Sequence, residues 1–302
     1  MRTVAVIITC YNHGRYLRGA IESALQQTRA ADQVLVVDDG SVDNTREVAT
    51  LFSNVEYYYQ TNRGLSSARN TGLSLIRTEF VIFLDADDVL LPNAIHSGVE
   101  TLASAPDAAF CFGGYREIDP EGALLPARHF DKIKVSYHDL LEWNVIGMHG
   151  AVTYRSAALR EVKGFDESLR YCEDYDLYLR LTRQHAVVST SAVVAEYRRS
   201  ADGLSSHLSA MLSSLIRVIE SQRTFVPSKD AFRIKHGLAR ARRFYGNKIA
   251  VQVIMALLKA DIARASNIVK SGLPFDQLLP LRVVRQTVKL VAVSLGLKKS
   301  DI

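Results

Sequence analysis

The stretch Phe80 to Pro92, FVIFLDADDVLLP, decides the fold. Its apolar run, Phe80-Val81-Ile82-Phe83-Leu84, reads as a fully buried strand. The run ends in three carboxylates within four residues, Asp85, Asp87 and Asp88. Open α/β sheets bind ligands beyond the carboxyl ends of their strands, so a buried strand delivering acids there marks a crevice. Asp85 and Asp87 are two apart, and an extended chain points them the same way. Carboxylates that close repel unless a cation or proton intervenes. A hard divalent ion carrying a phosphorylated substrate accounts for the pair. An EF-hand loop is excluded: its fifth position would be Val89, and the Gly at six and Glu at twelve are missing.

Working outward, Val4 to Thr9 is a second apolar, β-branched run, followed by loop chemistry at Tyr11-Asn12-His13-Gly14. Tyr16 to Gln27 has helical spacing, with Leu17, Ala20, Ile21, Ala24 and Leu25 on one side. Val34 to Val37 is a third strand, and it too ends in acids, Asp38 and Asp39. Gly40-Ser41 gives a tight turn, and Asp43 or Asn44 can cap a helix starting near Thr45. Strand, helix, strand, helix is the order of a parallel sheet with right-handed crossovers. The acidic ends of two strands distant in sequence then face one crevice.

The strings VIITCYN, LQQT, VVDDGSVDNT, NRGLSSARNTGL, FLDADD, GFDE and CEDYDLYLRL fall in this order along the chain. In order and spacing the sequence resembles the family 2 inverting glycosyltransferases of GT-A fold, over about residues 3 to 200. The resemblance implies an α/β fold with a mixed, mainly parallel sheet flanked by helices. It implies transfer of a sugar from a nucleoside-diphosphate sugar, a UDP-sugar in particular, to an acceptor hydroxyl on a saccharide or a lipid-linked saccharide. A bacterial surface polysaccharide or glycan is the implied product. Thr9 and Tyr11 would edge the nucleotide pocket, Tyr11 near the base. Asp39 would hydrogen-bond base or ribose, with Asp38 assisting. Arg69 would lie near base and diphosphate. Asp85 and Asp87 match the DXD motif for Mg²⁺ or Mn²⁺, Asp87 as direct ligand and Asp85 toward ribose or a metal-bound water. Asp174 matches the catalytic base, with Glu173 beside it. Arg198, Arg199 or His207 would contact the diphosphate. The alternative is a non-catalytic nucleotide-sugar-binding or scaffold protein of the same fold, which would be expected to lose these acids; the chain keeps them.

The chemistry asks for these residue types on its own account. Breaking a glycosyl–diphosphate bond leaves growing negative charge on the diphosphate oxygen, which a bound Mg²⁺ or Mn²⁺ stabilises without a proton. The acceptor hydroxyl needs a carboxylate or His within hydrogen-bond reach. Asp174, among Tyr171, Tyr175 and Leu177, suits that role if partly desolvated. Asp176 falls elsewhere on a helix and reads as structural. His13 and His149 each read as a satisfied loop or core histidine, and Trp143, the single tryptophan, as core packing. Other classes lack their signatures. No G-x-G-x-x-G follows the first strand, serine-hydrolase and zinc-protease strings are absent, and TCYNHGRY supplies little of a triphosphate-binding loop.

The 302 residues are 48% hydrophobic and 23% charged, ordinary for a globular chain. At this length more than one core is expected. The reading divides the chain into residues 1–110, the nucleotide-sugar half of the α/β domain; 111–203, the acceptor half, with a tight turn at Asp119 to Gly122; and 204–302, helical, with breaks at Pro227, Gly246, Gly272 to Pro274 and Pro280. Cys10, Cys111 and Cys172 show no CxxC or metal-ligand spacing, as in a reducing cytosol. No signal peptide precedes the first strand, and no apolar stretch approaches the ~18–20 residues that span a bilayer. The expected location is cytoplasmic. The net charge is +5, and the basic groups are not interleaved with aromatics as nucleic-acid binding requires. The last segment is amphipathic if helical: Val284, Val288, Val291 and Leu295 line one face, with Arg282, Arg285 and Lys289 beside it. It reads as a helix packed on its own domain, with peripheral contact to the inner face of an anionic membrane as the alternative.

Overall fold

The structure, a computed structural model, describes residues 2–125, 133–199 and 206–294, the last of these without side chains beyond 287. The chain divides into two compact units. One comprises residues 1–140 and 144–201, the other 141–143 and 202–302.

The first unit is built on β1 (Val4–Cys10), α1 (Gly14–Leu25), β2 (Gln33–Asp38), α2 (Thr45–Thr50), β3 (Glu56–Tyr59), α3 (Leu65–Leu75), β4 (Phe80–Asp85), β5 (Val89–Leu90), α4 (Ala94–Ala103) and β6 (Ala108–Ile118). It continues with α5 (Tyr137–Glu142), whose last two residues count with the other unit, β7 (Val152–Arg155), α6 (Ser156–Glu161), α7 (Glu173–Thr182) and β8 (Ala186–Arg198). Eight strands form one sheet in the order β3-β2-β1-β4-β7-β6-β8-β5. β1 is parallel to β2 and β4, and β2 to β3. β7 runs antiparallel between β4 and β6. The sheet is therefore mixed and mainly parallel, as the alternating pattern requires.

The apolar runs explain the centre. All seven residues of β1 are buried, as are Phe80 to Leu84 of β4, because helices cover both faces of a parallel sheet. Each such side chain contributes ~1.5–3 kcal/mol on full burial. Register carries this into function. Thr9 is paired with Asp85 on one side of β1, and Cys10 with Asp38 on the other. The sheet order reverses direction between β1 and β4, which makes their carboxyl ends a switch-point crevice. β6 crosses residue 110 as a continuous strand. At its end Asp119 Oδ1 accepts from the backbone N–H of Glu121 and Ala123, closing the expected tight turn.

One expectation is corrected here. Asp85 and Asp87 do not share an extended chain. The strand stops at Asp85, and Asp88 N–H donates to Asp85 C=O at 3.0 Å, so Ala86 and Asp87 sit in a turn. The turn, not strand pleating, brings the three acids together.

The second unit is helical: α8 (Leu208–Ser221), α9 (Ala231–Leu258), α10 (Ile262–Gly272) and α11 (Leu279–Ser294). Two expected breaks are absent. α9 runs unbroken for 28 residues through Gly246. A Cβ there would lie 1.9 Å from Asp276 Oδ2 and 2.7 Å from Arg282 Nε, so this glycine permits close approach rather than ending a helix. Pro280 lies in the first turn of α11, where a missing N–H leaves no helical bond unmade. Trp143 is half-buried rather than core: its ring meets Phe244, itself 39% exposed, edge-on, with Arg240 over its face. Val284 is exposed. The side chains of Val288, Lys289 and Val291, and Leu295 entirely, lie outside the described residues. Among the described residues no helix is long and apolar enough to cross a membrane.

Candidate active site

The loops after β1 and β2 are stitched together. Asn12, at φ 54, donates its N–H to Ser41 Oγ and accepts from Val42 N–H, both at 2.9 Å. Asp43 accepts from Gly14 N–H at 2.9 Å and, through its other oxygen, from the N–H and hydroxyl of Thr45. Of the two expected caps, Asp43 is therefore the one whose side chain works, and these bonds hold its carboxyl below the usual range against a burial that pushes it up.

Asp38 accepts from Ser41 N–H at 2.8 Å and from the Tyr57 hydroxyl at 2.7 Å. Asp39 accepts from Gln60 Nε2 and the N–H groups of Arg63 and Gly64, at 2.7 to 2.9 Å. Both acids are buried and shape the loop that leads into α3. Tyr11 stands on the rim, 52% exposed.

The centre of the crevice is Arg69, which α3 delivers fully buried, at 1% exposure. Its Nη2 donates to Asp85 Oδ1 at 2.8 Å and its Nη1 to Glu173 Oε1 at 2.7 Å. Thr9 Oγ1 donates to the same Asp85 oxygen at 3.2 Å. One guanidinium thus ties the end of β4 to the start of α7. Its Cζ lies 5.4 Å over the Phe165 ring. Around it His149 packs among Phe83, Tyr154, Phe165 and Tyr178. His149 is a core histidine: burial first, then Arg69, drives its pKa well down.

The first turn of α7 follows Cys172, a non-glycine residue at φ 61. Glu173 is buried; Asp174 is half-buried and accepts from Tyr175 N–H at 2.7 Å. Asp85, Glu173 and Asp174 share one cation, which cannot neutralise all three. Burial accordingly pushes Glu173 up to about 7 against the pull of Arg69. It raises Asp174 too, again with Arg69 opposing. Asp176 pairs with Arg180 at 2.7 Å, one turn on, and is structural as read.

On the other side of Asp85, Asp87 is raised by burial and then by the Asp85 charge. His13 Nδ1 is 3.9 Å from Asp87. Asp88 is buried and accepts from Arg198 N–H at 2.9 Å. The Arg198 side chain donates to the carbonyls of Asp87, Asp119 and Pro120 and lies over the Tyr16 ring. Arg199 is turned to Glu117 at 2.5 Å. Of the two expected diphosphate arginines, Arg198 is the one at the acids; His207 belongs to the other unit.

The donor set fits a divalent ion of the Mg²⁺ or Mn²⁺ kind. Asp85 and Asp87 keep accessible side chains, 34% and 18%, and their mutual repulsion favours a cation between them. Among the described residues no three His, Cys, Asp or Glu form a complete cage. Mg²⁺ does not need one: it is held by one or two carboxylates with substrate phosphates and water. Sequence reasoning missed Tyr57 and Gln60 behind Asp38 and Asp39, and the aromatic floor under Arg69. Of these, Phe83, Phe165 and Tyr178 lay in the strings FLDADD, GFDE and CEDYDLYLRL, whose acids drew the reading instead.

The family model described as glycosyl transferase family 2 matches residues 5–167, through both acidic strand ends and α3, stopping short of Glu173. A glycosyltransferase of Rickettsia typhi is 32% identical over 203 residues, 65% of this chain and 63% of that one. A chondroitin synthase of Escherichia coli is 33% identical over 59% of this chain and 26% of its own length. The chain thus spans less than two thirds of these relatives. Among solved structures, S. aureus TarS 1-349 in complex with UDP-GlcNAc superposes with a TM-score of 0.68 at 16% identity, covering 98% of this chain and 93% of that one. A mannosyltransferase from Pyrobaculum calidifontis in complex with GDP-Man and Mn²⁺ gives 0.56 at 16% identity, covering 94% and 88%. These two likenesses bear on the fold, and the model match over more than half the chain bears on descent: the chain belongs to glycosyl transferase family 2.

Proposed function

We propose that this protein transfers a glycosyl unit from a nucleoside-diphosphate sugar, a UDP-sugar, to an acceptor hydroxyl, with inversion at the anomeric carbon. The observation that carries the reading is the double pairing of Arg69, which holds Asp85 and the first turn of α7 at one crevice. The relatives support the reaction class. So does the UDP-GlcNAc bound in the TarS structure. The acceptor is a saccharide, free or lipid-linked, in glycan assembly, as the likeness to a chondroitin synthase suggests. Three buried cysteines with no disulfide between them suit a reducing compartment, and we place the reaction in the cytoplasm.

Asp87 and Asp85 would hold Mg²⁺ or Mn²⁺, which when bound neutralises charge on the departing diphosphate. Asp174 takes the proton of the acceptor hydroxyl as its oxygen bonds to the anomeric carbon and the bond to the diphosphate oxygen breaks. The raised pKa of Asp174 makes it a stronger base than an exposed aspartate. Arg69 is a positioning residue that keeps Asp85 and Glu173 in place. Glu173 is tied to Arg69, leaving Asp174 to face the acceptor. Tyr11 and Thr9 edge the nucleotide site.

A thermal-shift panel of nucleotide-sugars, with and without Mn²⁺, tests the donor. A ligand that binds only the folded state raises stability by RT ln(1 + [L]/Kd), so one UDP-sugar should stand out and need the ion. Proton NMR of the product should show the inverted anomer. Binding without turnover for any acceptor would leave a nucleotide-sugar-binding protein, and a retained anomer would overturn the single-base mechanism.

A further inference from the structure

The helical unit carries an exposed apolar turn that the crevice chemistry does not use. α9 and α10 pack against each other as a hairpin. They are joined through Ala260, at φ 57, and Asp261, whose carboxylate caps α10 by accepting from Arg264 N–H at 2.9 Å. Every residue from 257 to 264 is exposed. Around the turn stand Met255, Leu257, Leu258 and Ile262, exposed to 47%, 45%, 74% and 65%. Val251, also exposed, lies on the same helical face as Met255 and Leu258. It borders a cavity of about 360 Å³ shared with Leu208 and Gln286. Scattered exposed apolar residues are ordinary; five clustered at one hairpin end mark an interaction surface.

The rim identifies the partner. Lys259 and Arg264 are exposed at the same turn. Residues 240–270 carry seven Lys and Arg against one acid, Asp261, and that acid is committed to its cap. The unit as a whole has seventeen Lys and Arg against seven Asp and Glu, while the sheet unit has twenty against twenty-five. Two copies of this turn brought face to face would set like charges together. An anionic bilayer complements both features, apolar side chains at the acyl boundary and cations among the headgroups. We propose that the α9–α10 turn seats this protein on an anionic membrane surface, with Met255, Leu257, Leu258 and Ile262 entering the interface and Lys259 and Arg264 among the headgroups. The contact holds whatever reaction the crevice performs.

Flotation of the full chain with phosphatidylcholine vesicles, with and without phosphatidylglycerol, tests it. The protein should float with the anionic vesicles at low salt and be released as salt rises. Leu258→Glu with Ile262→Glu should lower the bound fraction about tenfold or more. Lys259→Glu with Arg264→Glu should lower it and remove its salt dependence. Leu51→Glu, at an equally exposed apolar position of the sheet unit (65%), should change nothing. Unaltered melting temperatures keep the comparison fair. Failure of the full chain to float, or equal flotation of the Leu258/Ile262 variant, overturns the proposal. So does light scattering that shows a dimer dissociated by Leu258→Glu.

Discussion

Two buried arginine–carboxylate pairs, one in each unit, show how differently the same chemistry can be used. Arg282 meets Asp276 at 2.5 Å, with the two side chains 14% and 2% exposed. Asp276 also accepts from Leu278 N–H at 3.1 Å. The pair is closed on every side and fixes the entry to α11. Arg69 is as deeply buried, yet its partner Asp85 is 34% exposed. The difference comes from where the acids arise. Asp276 precedes a surface helix, whereas Asp85 ends a buried strand, separated only by β1 from the strand end bearing Asp38 and Asp39. A charge held from behind and open in front is placed for chemistry; one held all round is placed for packing.

The largest effect expected from breaking this contrast is on turnover. Asp174→Asn should fold, bind nucleotide as before, and lose ~10²–10⁴-fold in kcat. A matching loss of nucleotide affinity would move Asp174 to the donor side. Next, Arg69→Met leaves Asp85 and Glu173 without their cation. It should cost ~3–5 kcal/mol in denaturant unfolding and lower kcat as well. Arg282→Met should lower stability while sparing kcat. If both variants affect turnover alike, the distinction between the pairs fails. Gly246→Ala, which drives a Cβ into Asp276, should cost ~1–3 kcal/mol, again with turnover spared.

The smallest effect is in pH. Burial raises Glu173 to about 7, so between its ordinary 4.5 and that value the native state holds a proton the unfolded chain has released. The resulting stability is complete below pH 4.5 and lost as pH rises to about 7. Glu173→Gln should flatten the fall of melting temperature across this window. An unchanged slope would mean that Glu173 is ionised throughout. The raised Asp174 places the acid limb of kcat above the ordinary aspartate value of 3.8.

Much of the sheet unit was legible because its signals are local. Apolar runs that end in acids gave β1, β2 and β4, and parallel pairing did the rest, putting Asp38 and Asp85 on either side of β1. What could not be read depends on distant partners. That Arg69 is buried between Asp85 and Glu173 follows from where α7 docks, 104 residues along the chain. That Asp87 lies in a turn depends on a backbone bond between Asp88 and Asp85. Gly246 looked like a helix break because its reason, Asp276, is 30 positions away, and Pro280 looked like one because a first-turn proline cannot be told from a terminator by composition alone.

All three thiols are sequestered: Cys10 and Cys111 are pushed up to about 11 and 12, chiefly by burial, and Cys172 is raised as well. Thiolate is the reactive form, so maleimides should leave the native chain almost untouched. Site-specific labels can therefore be introduced without first stripping the natural cysteines. A fluorophore at Leu258→Cys would report on the hairpin turn alone and one at Tyr11→Cys on the crevice rim alone, which lets each unit be followed separately in one intact chain.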